Sequence, residues 1–261
     1  MKAIILAAGQ GTRLRPYTND KPKCMVHLAG KSLLHRQMEI MSQCGISDSI
    51  IVGGYCIERI DPLDAKVVEN YDYDSTNMLS TLFCARDHMI PGEDLLISYG
   101  DIVYEPQVLQ SIIDCSAAIC VAADTQWEKL WKLRMDDPLS DAETFVFDKN
   151  QYIVELGKHP KSYRQVQAQY MGLMRIRSDK VADVIAAYDA LDVDALYDGS
   201  DFSNMYMTSF LQCLIDKGWL VKACLVEGGW LEVDTAEDLN TYERMAVEGS
   251  LDHYYKCSSP S

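Results

Sequence analysis

Basic residues are scarce in this chain. Its 261 residues hold 24 Lys and Arg against 39 Asp and Glu, a formal charge of −15. Such a surface repels nucleic acid and anionic membranes, which excludes both as partners. Long apolar runs are missing as well, since none reaches the ~18 residues of a membrane span. No secretory leader precedes the first apolar segment, so the expected location is the cytoplasm. The nine cysteines contain no Cys-x-x-Cys pair and keep no regular spacing. Cys44, Cys84, Cys120, Cys213 and Cys224 sit in apolar segments and are expected as reduced, packed thiols. Two phosphate-binding strings are absent too. No G-x-x-x-x-G-K-[ST] follows Gly9, and Leu14 stands where a dinucleotide fingerprint needs its third glycine.

What is present begins at the N-terminus. A short apolar strand runs into Leu6-Ala7-Ala8-Gly9-Gln10-Gly11-Thr12-Arg13-Leu14-Arg15-Pro16, followed by Lys21-Pro22-Lys23-Cys24-Met25. Gly9 and Gly11 let backbone N–H groups approach an anion closely. Arg13 supplies a forked cation for phosphate oxygens and Lys23 a mobile one. A glycine turn with these two cations ten residues apart suits a nucleoside triphosphate. A bland strand-to-helix turn would not need Arg13, Pro22 and Lys23 together.

Hydrophobic residues make up 48% of the chain, enough for a sizeable core. Strand and helix patterns alternate through the first half: strands at 2–7, 49–52, 66–69, 95–98 and 117–123, helices at 33–44 and 105–114, and a helix carrying Met78, Leu79, Leu82 and Phe83 with Ser75 as its cap. This rhythm predicts an α/β fold with a mostly parallel central sheet, whose ligands bind beyond the carboxyl ends of the strands, where Gly9, Gly54 and Asp101 fall. The second half reads as a hairpin around Lys149-Asn150, a strand at 169–176, helices at 179–191 and 204–216, strands at 221–226 and 230–233, and a last helix opened by Thr235 with a capping box. We expect one domain over residues 1–256, with a nucleotide-binding half (1–124), an acceptor-binding half (125–256) and a frayed tail at 257–261.

The N-terminal motif resembles the signature of nucleotidyltransferases that activate sugar phosphates and phosphorylated head groups. The likeness continues at Gly100-Asp101, at Trp230-Leu231-Glu232-Val233-Asp234-Thr235 and at Glu155-Leu156-Gly157-Lys158-His159-Pro160, where His159 interrupts the family's Lys-Pro pair. Asp74-Ser75-Thr76-Asn77-Met78, Trp127-Glu128-Lys129-Leu130-Trp131, Asp137-Pro138-Leu139-Ser140-Asp141-Ala142-Glu143, Gln169-Tyr170-Met171-Gly172 and Asn204-Met205-Tyr206-Met207-Thr208-Ser209 narrow it. They are similar to bacterial cytidylyltransferases acting on phosphocholine, aminoethylphosphonate or phosphoglutamine-type head groups for cell-surface polysaccharide or lipid.

The resemblance implies a three-layer Rossmann-like fold and transfer of CMP from CTP to a small phosphorylated or phosphonate acceptor, with Mg2+ held by Asp101 and Asp234. Lys23 and Arg13 would be the catalytic cations. Leu6, Ala7, Ala8, Gly9, Gly11, Thr12, Gly54, Asn77, Ser80 and Asp101 would join them around the nucleotide. Lys158, Trp127, Trp131, Tyr170 and Glu143 would hold the acceptor.

Several residues keep two readings. Asp101 can be a turn former, Asp234 a helix-terminal acid and Lys158 a solvated loop lysine. Trp127 and Trp131, one helical turn apart, can be core, a dimer contact or the walls of a box for a cationic head group. Asp136, Asp137, Asp141 and Glu143 are either solvated charge or partners for an ammonium. Tyr170 and Met171 alternate on a strand, so only one should face the site. Met205 and Met207 read as core. The oligomeric state is open, a homodimer being one option. Three other activities compete: a sugar-1-phosphate nucleotidyltransferase, a catalytically silent regulatory member of the fold, and a metal-dependent glycosyltransferase, whose usual D-x-D pair is absent from Gly100-Asp101-Ile102-Val103.

Overall fold

The computed structural model describes residues 1–257; residues 258–261, most of the expected tail, lie outside the described residues. Strand β1 (Lys2–Ala7) is an aliphatic run buried from Ala3 onward, as a central parallel strand requires. Single helical turns at Thr12–Leu14 and Lys23–Met25 lead into the hairpin β2 (His27–Leu28) and β3 (Lys31–Ser32), which the sequence pattern did not reveal. Helix α1 (Leu33–Gln43) starts at Ser32, whose hydroxyl accepts from the His35 N–H. Strands β4 (Asp48–Gly53) and β5 (Lys66–Glu69) follow.

Helix α2 (Met78–Cys84) is capped by Asn77, whose side chain accepts from the Met78 N–H, and not by Ser75, whose hydroxyl donates back to the Asp72 carbonyl. Next come β6 (Leu95–Tyr99), β7 (Ile102–Tyr104) and α3 (Pro106–Ile113), which carries its proline where no N–H is needed. Then follow β8 (Ile119–Asp124), α4 (Trp127–Arg134) and the expected hairpin, β9 (Phe145–Phe147) with β10 (Ile153–Leu156). The chain ends with β11 (Gln169–Ile176), α5 (Val181–Asp189), α6 (Met207–Asp216), β12 (Val221–Val226), β13 (Trp230–Glu232) and α7 (Ala236–Glu248). Helix α6 begins later than its apolar pattern suggests, because Asp201 caps a separate turn at Phe202–Asn204. The Thr235 capping box of α7 is present, with Asp238 as its partner.

Seven strands form one sheet in the order β12-β8-β11-β6-β1-β4-β5. All are parallel except β11, which runs antiparallel to both β6 and β8. Apolar residues of α1, α3, α4 and α7 pack on one face, and those of α2, α5 and α6 on the other, giving three layers. Met205 and Met207 are fully buried, as expected. All nine cysteines are free thiols. Cys120 and Cys224 are packed as expected and Cys44 and Cys213 are half-buried, but Cys84 is exposed.

Strand β11 departs from regular pairing. Its pairing with β8 shifts between Tyr170 and Met174, and Gly172 adopts φ +73° there. A Cβ on Gly172 would lie 2.6 Å from the Tyr99 ring. Gly172→Ala should therefore destabilise the protein by roughly 2 kcal/mol or more, from backbone strain and overpacking together. Thermal melts that superimpose on wild type would show that the neighbouring chain yields instead.

Candidate active site

The carboxyl ends of β1, β4 and β6 meet at one edge of the sheet, and the residues of the N-terminal motif gather there. Gly11 sits at φ +61°, and its Cβ position lies 3.1 Å from the Lys23 Cβ, so only glycine lets the two limbs of the loop close together. The Thr18 hydroxyl donates to the Gly11 carbonyl at 2.7 Å and pins that turn. Lys23 then projects its Nζ to 2.7 Å from Asp101 Oδ2 and 2.7 Å from Asp234 Oδ1. Arg13, whose side chain is 65% exposed, reaches Asp234 Oδ2 at 2.5 Å.

A small ribbon brings together the two acids, which are 133 positions apart in the chain. Strands β7 and β13 pair antiparallel, and the Val233 N–H donates to the Asp101 carbonyl at 3.0 Å. Asp234 lies just before the capping box of α7, and its N–H donates to Asp238 at 3.1 Å. The two readings of Asp234, helix-terminal acid and site acid, thus coexist. Behind the ribbon Arg134 bridges Glu232 at 2.5 Å and Asp238 at 3.2 Å.

Burial by itself pulls the Lys23 pKa down, yet the charges of Asp101, Asp234 and Glu232 more than offset it, so the ammonium is held protonated. Burial raises the Asp234 pKa, but Lys23 and Arg13 outweigh it and keep the carboxyl below its ordinary range. Glu232 goes the other way, raised by burial and by its acidic neighbours despite Arg134. The second carboxylate oxygen of Asp101, Oδ1, is buried without a hydrogen-bond partner. Two hard-oxygen donors converging there, one of them unsatisfied, fit a magnesium-class cation.

A cleft of about 400 Å3 opens from this centre, lined by Arg13, Asp101, Glu232 and Asp234 at one end and by Trp131, Asp141, Glu143 and Gln169 further along. Asn77, Met78, Tyr99, Tyr206, Thr208 and Trp230 complete its walls. A hollow of about 450 Å3 beside α1, lined by His35, Glu39 and Leu63, contains none of these residues, and its Lys31 and Glu39 are paired with each other at 2.7 Å. Burial, and to a lesser degree the charge of Asp141, push the Glu143 carboxyl up to about 7, against a lowering hydrogen bond from Thr208.

The residues singled out from the sequence divide into three groups. Leu6, Ala7, Gly9, Lys23 and Asp101 line a recess of about 30 Å3 beneath the cleft, while Arg13, Asn77, Trp131, Glu143, Tyr170, Asp101 and Asp234 line the cleft itself. Ala8 supports the recess through its carbonyl, which accepts from the Tyr55 N–H at 3.1 Å. Thr12 is exposed in the turn after Gly11.

Four residues are placed elsewhere. Ser80 turns away and donates to the Ser203 carbonyl at 2.8 Å. Gly54 lies under Tyr73, whose Cβ would be 2.5 Å from a Cβ on Gly54, so it serves packing. Trp127 is core, with its indole N–H on the Val166 carbonyl at 3.1 Å and its ring stacked on Tyr163. Lys158 is half-exposed beside Glu155, outside the cleft lining. Its backbone N–H is held by the Thr144 hydroxyl at 3.1 Å, next to Glu143, so the loop reaches the cleft where the lysine does not.

Tyr170 and Met171 both line the cleft although their side chains alternate as expected, Tyr170 packing with the α2, α5 and α6 layer and Met171 with the α1, α3, α4 and α7 layer. Gln169, Tyr206, Thr208, Trp230 and Glu232 were not assigned from the sequence. Each lies inside a string that carried the resemblance, which is the signal that could have found them.

Comparison with known proteins adds the following. A profile described as the MobA-like NTP transferase domain matches residues 3–192. Over 248 residues the chain is 43% identical to the CTP:phosphoglutamine cytidylyltransferase of Campylobacter jejuni subsp. jejuni serotype O:2, covering 92% of this chain and 98% of that protein. The choline-phosphate cytidylyltransferase of Streptococcus pneumoniae is 42% identical over 93 residues, 34% of this chain and 41% of its own. Among solved structures, a CTP:phosphocholine cytidylyltransferase from S. pneumoniae superposes with a TM-score of 0.72 at 22% identity, covering 94% of this chain and 98% of that one. An inositol-1-phosphate CTP transferase from T. maritima gives 0.72 at 23% identity over 98% of each chain. These two likenesses concern the fold.

Two outcomes follow from the site's packing and charge. Trp127→Ala should cost about 3–5 kcal/mol of stability without selectively weakening any ligand; a variant that melts like wild type but fails to saturate with one substrate would return Trp127 to the site. Glu143 binds its proton more tightly folded than unfolded, so it favours folding most below the ordinary carboxyl pKa and loses that contribution as pH rises toward 7. Glu143→Gln should therefore raise Tm relative to wild type at pH 8 and leave little difference near pH 4.5. An equal Tm difference at both pH values would mean the carboxyl is not held protonated.

Proposed function

We propose, for a chain that belongs to the MobA-like NTP transferase family and is a nucleotidyltransferase, that it transfers CMP from CTP to a small phosphorylated or phosphonate head group bearing an ammonium, releasing pyrophosphate. The convergence of Lys23, Asp101 and Asp234 at the head of an acidic, aromatic cleft carries this reading. The full-length likeness to a phosphoglutamine cytidylyltransferase supports the choice of nucleotide and acceptor.

The chemistry follows from the parts. The acceptor is already an oxyanion, so it needs no general base. One of its oxygens bonds to the α-phosphorus of the nucleotide while the bond from that phosphorus to the β-phosphate oxygen breaks, and the electron pair leaves with pyrophosphate. What the protein supplies is alignment and positive charge. Lys23, at the junction of recess and cleft, would stabilise charge on the α-phosphate, and exposed Arg13 would hold the β- and γ-phosphates. Asp101 and Asp234 would hold Mg2+, which supplies Lewis-acid neutralisation of phosphate oxygens when bound. At the other end Asp141, Glu143 and the face of Trp131 would take the acceptor's ammonium, and the Gln169 side-chain oxygen, buried without a partner, adds an acceptor of hydrogen bonds. The cytoplasm, where CTP and soluble head groups meet reduced thiols, suits the nine free cysteines.

The direct test is pyrophosphate release from five nucleoside triphosphates, each paired with a panel of phosphorylated head groups. CTP with an ammonium-bearing phosphate should be the productive pair; efficient use of UTP or dTTP with glucose 1-phosphate would overturn the assignment in favour of a sugar-activating enzyme. Asp101→Asn and Asp234→Asn should each lower kcat by at least ~100-fold in a folded protein. Trp131→Ala should raise the acceptor KM by roughly tenfold, about 1.4 kcal/mol of binding, with the CTP KM unchanged. Wild-type turnover in either Asp variant, or an equal rise in both KM values for Trp131→Ala, removes that residue from its role.

A further inference from the structure

We propose that Cys115, Cys120 and Cys224 form a binding site for a thiophilic divalent cation of the zinc class, at the end of β8 and β11 remote from the catalytic cleft. The three sulfurs all lie within 4.8 Å of one another. Two thiolates on one tetrahedral zinc, each at about 2.3 Å, are roughly 3.8 Å apart, so closing the site needs only a small side-chain shift.

The backbone favours a shared ion over a disulfide. Cys120 of β8 pairs with Lys222 of β12, and Cys224 with Ala122, so the two cysteines are offset by two residues on neighbouring parallel strands. At about 4.8 Å between strands and 3.3 Å per residue, their Cα atoms are roughly 8 Å apart. That exceeds the ~7 Å beyond which two cysteines cannot be bridged without moving the chain.

A second observation comes from Arg175. It is 3% exposed and stands opposite Cys120 in the β11–β8 register. Its Nη1 donates to Asp94 at 2.8 Å and its Nη2 to the carbonyls of Cys115 and Ala117. Its Nε, however, is buried with no hydrogen-bond partner. Three thiolates around a divalent cation leave one net negative charge, which this guanidinium offsets. The same side chain fixes the Cys115 carbonyl and so holds the loop that delivers the third thiol. Cys115 is half-buried, which gives an ion a way in and leaves a fourth position for water. Each ligating thiol surrenders its proton to solvent. The bound ion would clip edge strand β12 to β8 and to the loop after α3, stabilising the fold rather than serving catalysis.

Titration of the reduced, full-length protein with Cd2+ under anaerobic conditions tests this through the sulfur-to-cadmium charge-transfer band. One equivalent of Cd2+ should saturate the band, raise Tm and protect Cys115 from alkylation, while exposed Cys84 stays reactive. Cys115→Ser changes a half-buried position and should fold; it should weaken Cd2+ binding at least tenfold, whereas Cys84→Ser should bind like wild type. Zn2+ should compete for the same equivalent. Wild-type Cd2+ affinity in Cys115→Ser, a band lost in Cys84→Ser, or no saturable band with one equivalent overturns the site.

Discussion

A buried ammonium shared by two carboxylates holds the working edge of this protein together. Lys23, Asp101 and Asp234 come from the first loop, the middle of the sheet and the start of the last helix, and the lysine lies 2.7 Å from each acid. One ammonium against two carboxylates leaves a negative charge, which Arg13 offsets at Asp234, and the group is tolerated because its pairs have good geometry. Their partners are held in turn. Gly11 yields the space for the Lys23 stem, the β7–β13 ribbon sets the spacing of the acids, and the capping box of α7 aims Asp234. This charge cluster is therefore also a closure of the fold, and unpairing any of the three charges is felt by all of these elements.

That closure explains how an acidic protein can handle acidic substrates. The cleft is rich in carboxylates, and the chain carries a net charge of −15. At the head of the cleft Lys23 and Arg13 offset Asp101 and Asp234, whereas Asp141 and Glu143 further along have no basic residue beside them in the cleft lining. A ligand with phosphate at one end and ammonium at the other is oriented by that gradient; a uniformly anionic one is not.

Much of this was legible in the sequence, for identifiable reasons. β1, β4 and β6 show as aliphatic runs because central parallel strands are buried on both faces, and α7 announces itself through Thr235 and Asp238. The N-terminal loop was readable because its glycines and cations have no purpose in a plain turn. Elements whose identity depends on distant partners were not readable. β7 is three residues long and exists by pairing with β13, more than a hundred positions away in the chain. Trp127 and Trp131 sit one turn apart, yet only Trp131 reaches the cleft, because Tyr163 and Val166 enclose Trp127. Lys158 was carried by resemblance into a cleft that its loop skirts. Met171 and Tyr170 alternate between the two faces as the strand pattern requires, yet both border the cleft, which a rule about faces alone does not foresee.

Helix α4 ties the two ends of the cleft to one rigid body. Trp131 lines the cleft, and Arg134, three positions on, stacks 5.0 Å from its ring while gripping Glu232 and Asp238. Arg134 thus anchors the helix to the ribbon independently of the Trp131 side chain. Substitutions in such a protein have unequal freedom: α4 is held at Trp131 and Arg134 at once, whereas the loop from Met135 to Glu143 is tied to that helix through the Trp131 indole N–H on Asp141 at 3.2 Å. Changes of cleft shape are absorbed more readily by the rest of that loop than by the helix.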